Sequence, residues 1–301
     1  MPMTTAYTWV ASPAHEYENH PERPGRLTEL ETRLSQFKIE KLDATPATRD
    51  EIALVHAPRM IEAVDLACAS GGGIIDYAPT FVNPSSFDDA LLASGGTLGC
   101  ARAVWAGEAS DAFAIVRPPG HHAGKDYAGG YCFINNASVA ANWLSERGKV
   151  ALLDIDYHCG NGTQDIFYER EDVFTISIHA DPDFEYPHSA GFANETGSGK
   201  GLGFHRNFPL PAGTDDVAYL KTLEEALGLI QRFNPRYLVI SAGMDIYADD
   251  PLGTIRVTTD GIGEIGKRIA ALGLPSVIVM EGGYNNDVLG TNVVTFLDAF
   301  K

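Results

Sequence analysis

The sequence predicts one α/β domain, a parallel sheet with helices on both faces. Three observations lead there. Short apolar runs alternate with amphipathic stretches along the chain, the order of βαβ units. The runs are apolar on consecutive residues, as strands covered on both faces must be. Each run ends in a polar cluster, and in open α/β sheets ligands bind beyond the C-terminal ends of the strands.

The strands are expected at Ala112–Val116, Val150–Asp156, Phe174–Ile178, Tyr237–Ser241 and Ser276–Met280. Helical patterns fall at Pro58–Ala69, Ser86–Trp105, Asn135–Arg147, Asp215–Phe233, Thr259–Leu272 and Asp287–Phe300. No internal repeat and no linker rich in Pro or Ser interrupts them, so residues 1–301 read as one domain. With 301 residues and 45% hydrophobic content, the chain can bury one large core. No window approaches the roughly 18 apolar residues of a membrane span. The N-terminus lacks a basic start followed by an apolar run, so no secretory signal is expected. Cys68, Cys100, Cys132 and Cys159 are far apart and form no CxxC pair, which fits a reduced, cytoplasmic protein. The net charge of −18 would repel nucleic acid and attract cationic substrates, although acidity can also serve solubility alone.

The run Val150 to Leu153 leads into Asp154-Ile155-Asp156-Tyr157-His158. On a continuous strand Asp154, Asp156 and His158 would share one face. Three ionisable groups on one side of a buried strand are costly unless a cation sits among them. Asp and His are ordinary ligands for zinc, and a salt-bridged core cluster is the alternative. Asp245, just after the strand Tyr237–Ser241, is the candidate third ligand. Asp249 and Asp250 are nearby alternatives, but they precede Pro251 in a loop and read as solvated. Three protein ligands leave zinc an open position for water or a carbonyl, the layout of a catalytic site.

RPPGHHAG (117–124) brings two adjacent imidazoles after an irregular Pro-Pro-Gly turn. His121 and His122 suit proton transfer, given orienting partners; Asp154 and Asn161 are available. The pair could instead line a polar loop or supply further ligands. EGGYN (281–285) follows a strand and lets Tyr284 turn inward, where its hydroxyl could donate to an oxyanion. A packed Tyr in a capping turn is the alternative. Tyr131, in GGYCFINN (129–136), and Tyr186, in FEYPH (184–188), could wall a narrow channel.

Together these motifs resemble the histone deacetylase superfamily, which includes bacterial acetylpolyamine amidohydrolases. HPERPGRL (20–27), RPPGHHAG, GGYCFINN, DIDYHCGNGTQDIF (154–167), SAGMDIYADDPLG (241–253) and MEGGY (280–284) stand in the family's order. The likeness is closer to the class II and polyamine-type branches than to class I. It implies the single-domain arginase/deacetylase-like fold and a zinc-dependent amidohydrolase acting on acetylpolyamines or related small cationic acylamines. Protein acetyl-lysine deacetylation is the alternative, and a binuclear manganese ureohydrolase a remote one. The family's zinc ligands fall on Asp156, His158 and Asp245. Its base and acid fall on His122, partnered by Asn161, with His121, partnered by Asp154, assisting electrostatically. Tyr284 falls on the carbonyl-polarising Tyr, and Gly130, Tyr131 and Tyr186 on the tunnel wall. Arg26 would lie near the tunnel's inner end. Structural potassium would take Asp154, Asp156 and His158 with Ser177 and the Ile178 backbone, and a second ion would lie at Phe167, Arg170, Val173 and Asn207. The implied partners are a small acylated amine or acetyl-lysine substrate, with no nucleic acid and no membrane; an oligomer is compatible.

Two departures stand out. Cys159 replaces the family's usual second His, and Pro79 or Thr80 replaces a rim Asp that binds substrate backbone. The long inserted rim loop of acetylpolyamine enzymes is also missing. Glu16, Glu18 and Glu185 are candidates for a gatekeeping acid.

Overall fold

The computed structural model describes residues 5–34 and 39–300. Its sheet contains β1 (Thr5–Val10), β2 (Glu40–Leu42), β5 (Asp111–Val116), β6 (Val150–Asp154), β7 (Val173–Ala180), β8 (His205–Leu210), β9 (Tyr237–Ala242) and β10 (Ser276–Met280). A small antiparallel hairpin pairs β3 (Gly73–Ile74) with β4 (Phe81–Val82). The helices are α1 (Thr28–Leu34), α2 (Arg49–Ile52), α3 (Pro58–Ala69), α4 (Ser86–Ala106), α5 (Asn136–Ser145), α6 (Asn161–Phe167), α7 (Asp216–Phe233), α8 (Thr259–Ala270) and α9 (Leu289–Leu297).

The eight strands are all parallel, in the order β2-β1-β5-β10-β9-β6-β7-β8. This is the single α/β domain expected. Alternation along each strand divides the core in two. Ala151, Leu153, Ile240 and Ile278 pack with α1, α7, α8 and α9. Val150, Leu152, Val239 and Val279 pack with α3, α4 and α5 on the other face. Each such Val, Leu or Ile contributes about 1.5–3 kcal/mol by leaving water.

Helix ends follow local chemistry. The Asn135 side chain accepts from Ser138 N at the start of α5, and Asp215 accepts from Ala218 N at the start of α7. Asn234 ends α7 in the left-handed region, φ 52°.

Several elements differ from expectation. β6 stops at Asp154, two residues early, because side chains take over the backbone bonds there. Asp156 N donates to Asp154 Oδ1 at 3.0 Å, and His158 N donates to Asp156 Oδ1 at 2.8 Å. These two turns curl the chain out of the ladder, so Asp154, Asp156 and His158 do not line one strand face. The final helical pattern, read as Asp287–Phe300, holds α9 and a separate 3₁₀ turn, Asp298–Phe300. β1 and β8 were not expected. β1 alternates buried and half-buried residues and includes Thr5 and Thr8, and β8 carries Pro209, which is tolerated on this edge strand. The four cysteines are buried and free. No described helix is long and apolar enough to cross a membrane.

Candidate active site

Parallel strands bring Val116, Asp154, Ala242 and Met280 to one edge of the sheet, and the loops that follow converge there. Each carboxylate is aimed by a backbone amide. Tyr157 N donates to Asp245 Oδ1 at 3.0 Å, and Gly282 N donates to Asp156 Oδ2 at 2.8 Å. His158 Nδ1 then lies 3.4 Å from Asp156 Oδ1 and 3.2 Å from Asp245 Oδ2. One donor atom from each of the three residues falls within 4.8 Å of the other two.

The residues fit a divalent cation. Asp245 Oδ2 is buried and makes no hydrogen bond despite its short distance to His158. An orphaned anionic oxygen is expensive in the interior. Burial opposes charge on His158, but Asp156 and Asp245 outweigh it and push its pKa up to about 10. The pocket therefore favours a cation among these three groups. Gly282 leaves the room: a Cβ there would stand 2.3 Å from Asp245 Oδ2 and 2.7 Å from Asp156 Oδ2. Asp249 is exposed, whereas Asp250 is buried, which corrects its reading as solvated. Its carboxylate is occupied, accepting from Tyr284 N at 2.7 Å, Asn285 N at 3.2 Å and Leu252 N at 3.0 Å.

The two neighbouring histidines differ in what stands behind them. His121 Nδ1 lies 3.0 Å from Asp154 Oδ2, and His122 Nδ1 lies 2.7 Å from Asn161 Oδ1. Burial disfavours the charged form of both. For His121 it is overcome by Asp156 and Asp154, and the pKa stands well above the ordinary value. For His122 burial prevails, reinforced by the charges of His121 and His158, and the pKa lies well below. A carboxylate behind one ring and an amide behind the other thus give a cationic and a neutral imidazole 3.9 Å apart.

Tyr284 is set by its loop. Arg26 donates from Nη2 to Glu281 O and from Nε to Gly283 O, both at 2.8 Å, and its guanidinium lies 4.8 Å from the Tyr284 ring centre. Arg26 is itself paired with buried Glu22 at 3.1 Å, and Glu22 also binds Arg117. Burial raises the Glu22 pKa, but Arg117 and Arg26 prevail and hold it at about 2.

A cavity of about 270 Å³ reaches this centre, lined by Tyr131, Tyr186, His122, His158, Tyr284 and Leu252 among others. Gly130 and Tyr131 both have left-handed backbones, φ 56° and 69°. Asp76 Oδ2 accepts from Gly130 N at 2.9 Å, and Thr80 Oγ1 accepts from Tyr131 N at 2.7 Å. Thr80 and Pro79, read as substitutes for a rim Asp, therefore do different work: Thr80 holds the wall, and Pro79 lines the cavity. Glu16, Glu18 and Glu185 do not line it.

Of the residues read as potassium ligands, Asp154 is in register with Ser177 on β7, and Ile178 follows Ser177. Ser177 Oγ is 2.7 Å from His179 Nδ1. Phe167 ends α6, Arg170 lies in the next turn paired with Asp172, and Val173 opens β7. Asn207, on β8, keeps a buried amide oxygen without a partner. Glu22 and Asp76 escaped the sequence reading, and Asp250 entered it only as an alternative ligand, its hold on the Tyr284 loop unseen. Glu22 lies inside HPERPGRL, Asp76 follows a glycine run without periodicity, and Asp250 was masked by the adjoining Pro251.

His56 braces the histidine loop from below. Its Nδ1 donates to Gly124 O at 2.7 Å, and its Nε2 accepts from Asn135 N at 2.9 Å. Burial lowers its pKa to about 4. The folded pKa lies below the unfolded one, so the stabilisation is complete above about pH 6.5 and is lost as pH falls toward 4. A His56→Gln variant should show a shallower fall of the unfolding free energy from urea titrations over that window, by up to about 3 kcal/mol. Identical slopes in variant and wild type would contradict a neutral brace.

A parallel α/β sheet whose strand ends gather two aspartates, a third histidine, a split histidine pair and a tyrosine defines an α/β protein with a candidate metal centre. The chain belongs to the histone deacetylase family: residues 20–300 match the histone deacetylase domain. It is 49% identical over 204 residues to an acetylpolyamine amidohydrolase of Burkholderia pseudomallei, covering 67% of this chain and 60% of that protein. It is 38% identical over 281 residues to a probable deacetylase of Archaeoglobus fulgidus, covering 88% of this chain and 77% of that one. The solved structure of the acetylpolyamine aminohydrolase from Burkholderia pseudomallei superposes with a TM-score of 0.91 at 34% identity, covering 99% and 98% of the two chains.

Proposed function

We propose that this protein hydrolyses the amide bond of N-acetylated amines, acetylpolyamines foremost, with zinc held by Asp156, His158 and Asp245. The observation that carries the reading is the cluster of those three side chains at the end of a cavity that also presents neutral His122 and Tyr284. The 49% identity to an acetylpolyamine amidohydrolase supports the substrate class.

When bound, the ion would act as a Lewis acid toward the amide carbonyl and lower the pKa of a water toward about 7. The chain's own groups do the rest. Tyr131 and Tyr186 flank the methylene chain of the substrate. With Nδ1–H held by Asn161, the His122 ring leaves Nε2 bare to take the proton of the attacking water. Charged His121, neutralised by Asp154, stabilises negative charge in the transition state. Tyr284 donates its hydroxyl proton in a hydrogen bond to the carbonyl oxygen as that oxygen becomes anionic. His122 returns the proton to the departing nitrogen, giving acetate and a primary amine. Potassium at Asp154, Ser177 and Ile178, and at Phe167, Arg170, Val173 and Asn207, would brace this machinery.

One observation favours a second reading, deacetylation of acetyl-lysine side chains: among the described residues, no carboxylate lines the cavity to receive a second ammonium group. A binuclear manganese centre is poorly served, because Asn161 is committed to His122 and Tyr127. The test is acetate release by zinc-loaded protein from N-acetylputrescine, N8-acetylspermidine and an acetyl-lysine peptide. Faster turnover of the polyamines is expected. Preference for the peptide would install the second reading, and no acetate from any of them would overturn both.

A further inference from the structure

The reading above requires His122 to carry its proton on Nδ1, and this follows only if Asn161 turns its oxygen, not its nitrogen, toward the ring. An amide flipped by half a turn would present Nδ2–H to Nδ1, favour the opposite tautomer and place a hydrogen on Nε2. That ring could not accept a proton from water. The two orientations have nearly the same shape, so packing alone does not choose between them. A specific partner of the amide nitrogen must.

That partner is Tyr127. Asn161 Nδ2 donates to the Tyr127 hydroxyl at 3.1 Å, and the hydroxyl donates to the backbone oxygen of Asn161 at 3.2 Å. With its own proton committed to that carbonyl, the phenol can only accept from the side chain. A flipped amide would bring its oxygen to the phenol oxygen, and the hydroxyl could meet it only by giving up its bond to the Asn161 carbonyl. The hydroxyl therefore reads the two ends of the amide differently.

Tyr127 stands outside the catalytic cavity. The side chain is 39% exposed and walls a groove of about 550 Å³. It is seated by a tight turn, in which Gly124 N donates to Tyr127 O at 3.0 Å. The ring lies so close to that turn that a Cβ on Gly124 would stand 2.3 Å from it. Gly124 thus closes the histidine motif with the one residue that lets the ring reach Asn161.

We propose that Tyr127 is a positioning residue that fixes the side-chain orientation of Asn161 and, through it, the tautomer of His122. The inference rests on the amide-hydrolase reading for its kinetic consequence and on the hydrogen-bond geometry for the tautomer. Tyr127→Phe keeps the ring and removes the discriminating oxygen. Water from the groove can then serve either amide orientation, so part of the population carries the wrong tautomer.

Two measurements test it on zinc-loaded, full-length protein. Kinetically, Tyr127→Phe should lower kcat about 10-fold with little change in KM, a fraction of the 10²–10⁴ that general-base catalysis supplies. In an Asn161→Asp background, where either carboxylate oxygen accepts from Nδ1, the same change should cost less than about 2-fold. Equal losses in both backgrounds, or none in the first, would overturn the proposal. Spectroscopically, the ¹⁵N shifts of the His122 ring should report an Nδ1–H tautomer in wild type and a mixture in Tyr127→Phe. An unchanged tautomer would likewise overturn it. If the tautomer responds while the wild type releases no acetate, the amide-hydrolase reading fails and the positioning role stands. Gly124→Ala, which displaces the ring, should move the tautomer in the same direction as Tyr127→Phe.

Discussion

Asp245→Asn should abolish zinc retention and turnover while leaving the ion-free protein as stable as, or more stable than, ion-free wild type. Asp245 is buried beside Asp156, and burial together with that neighbouring charge raises its pKa. In the ion-free fold it is a cost rather than a support. Asn can keep the bond from Tyr157 N, now 3.0 Å from Oδ1, and still lacks the charge that attracts the ion. Substitutions in the outer shell of metal sites cost about 10–100-fold in affinity, and loss of one of only three protein ligands should exceed that. With several kcal/mol of Lewis-acid stabilisation gone, turnover should fall by about 10³ or more. Metal analysis after dialysis, acetate release and the thermal midpoint of the ion-free forms check the three parts separately. A variant that keeps its ion and melts well below wild type would show that Asp245 is a structural residue.

The opposite signs of those effects explain why the site was legible in the sequence. Buried carboxylates at Asp154, Asp156 and Asp245 make no sense as packing, so their presence at strand ends announces chemistry. The strands that carry them are apolar runs, visible without any partner. What escaped was the support. Asp76, Asp250 and Glu22 reach Gly130 N, Tyr284 N and Arg117, all far away in sequence, and no local pattern distinguishes such an acid from a solvated one. The end of β6 was misplaced for a related reason. An Asp side chain can replace a ladder bond, so the apolar-to-polar change at Leu153–Asp154 was visible while the turn it forces was not. β1 and β8 were missed because their polar residues, Thr5 and Thr8 in one and His205, Arg206 and Asn207 in the other, break the continuous apolar signal on which the other strands were read.

Tyr284→Phe should lower kcat by about 10²–10³ with the zinc content unchanged, the range for removing one donor to an oxyanion. The argument depends on the loop staying in place without the hydroxyl, and the structure supplies the reason. Arg26 grips the carbonyls of Glu281 and Gly283, Asp250 grips the amides of Tyr284 and Asn285, and the ring lies against the Arg26 guanidinium. None of these contacts uses the phenol oxygen. Phe therefore occupies the same position and removes a single donor from the cavity. That donor matters only once charge has developed on the carbonyl oxygen, so kcat should fall and KM should hardly move. The contrast with Tyr127→Phe is informative because both changes delete one hydroxyl. At 284 the deficit should persist in an Asn161→Asp background, since the lost bond goes to substrate. At 127 it should vanish, since the lost bond goes to the amide. Near wild-type turnover in Tyr284→Phe would remove Tyr284 from the mechanism and leave charge stabilisation to the ion and His121.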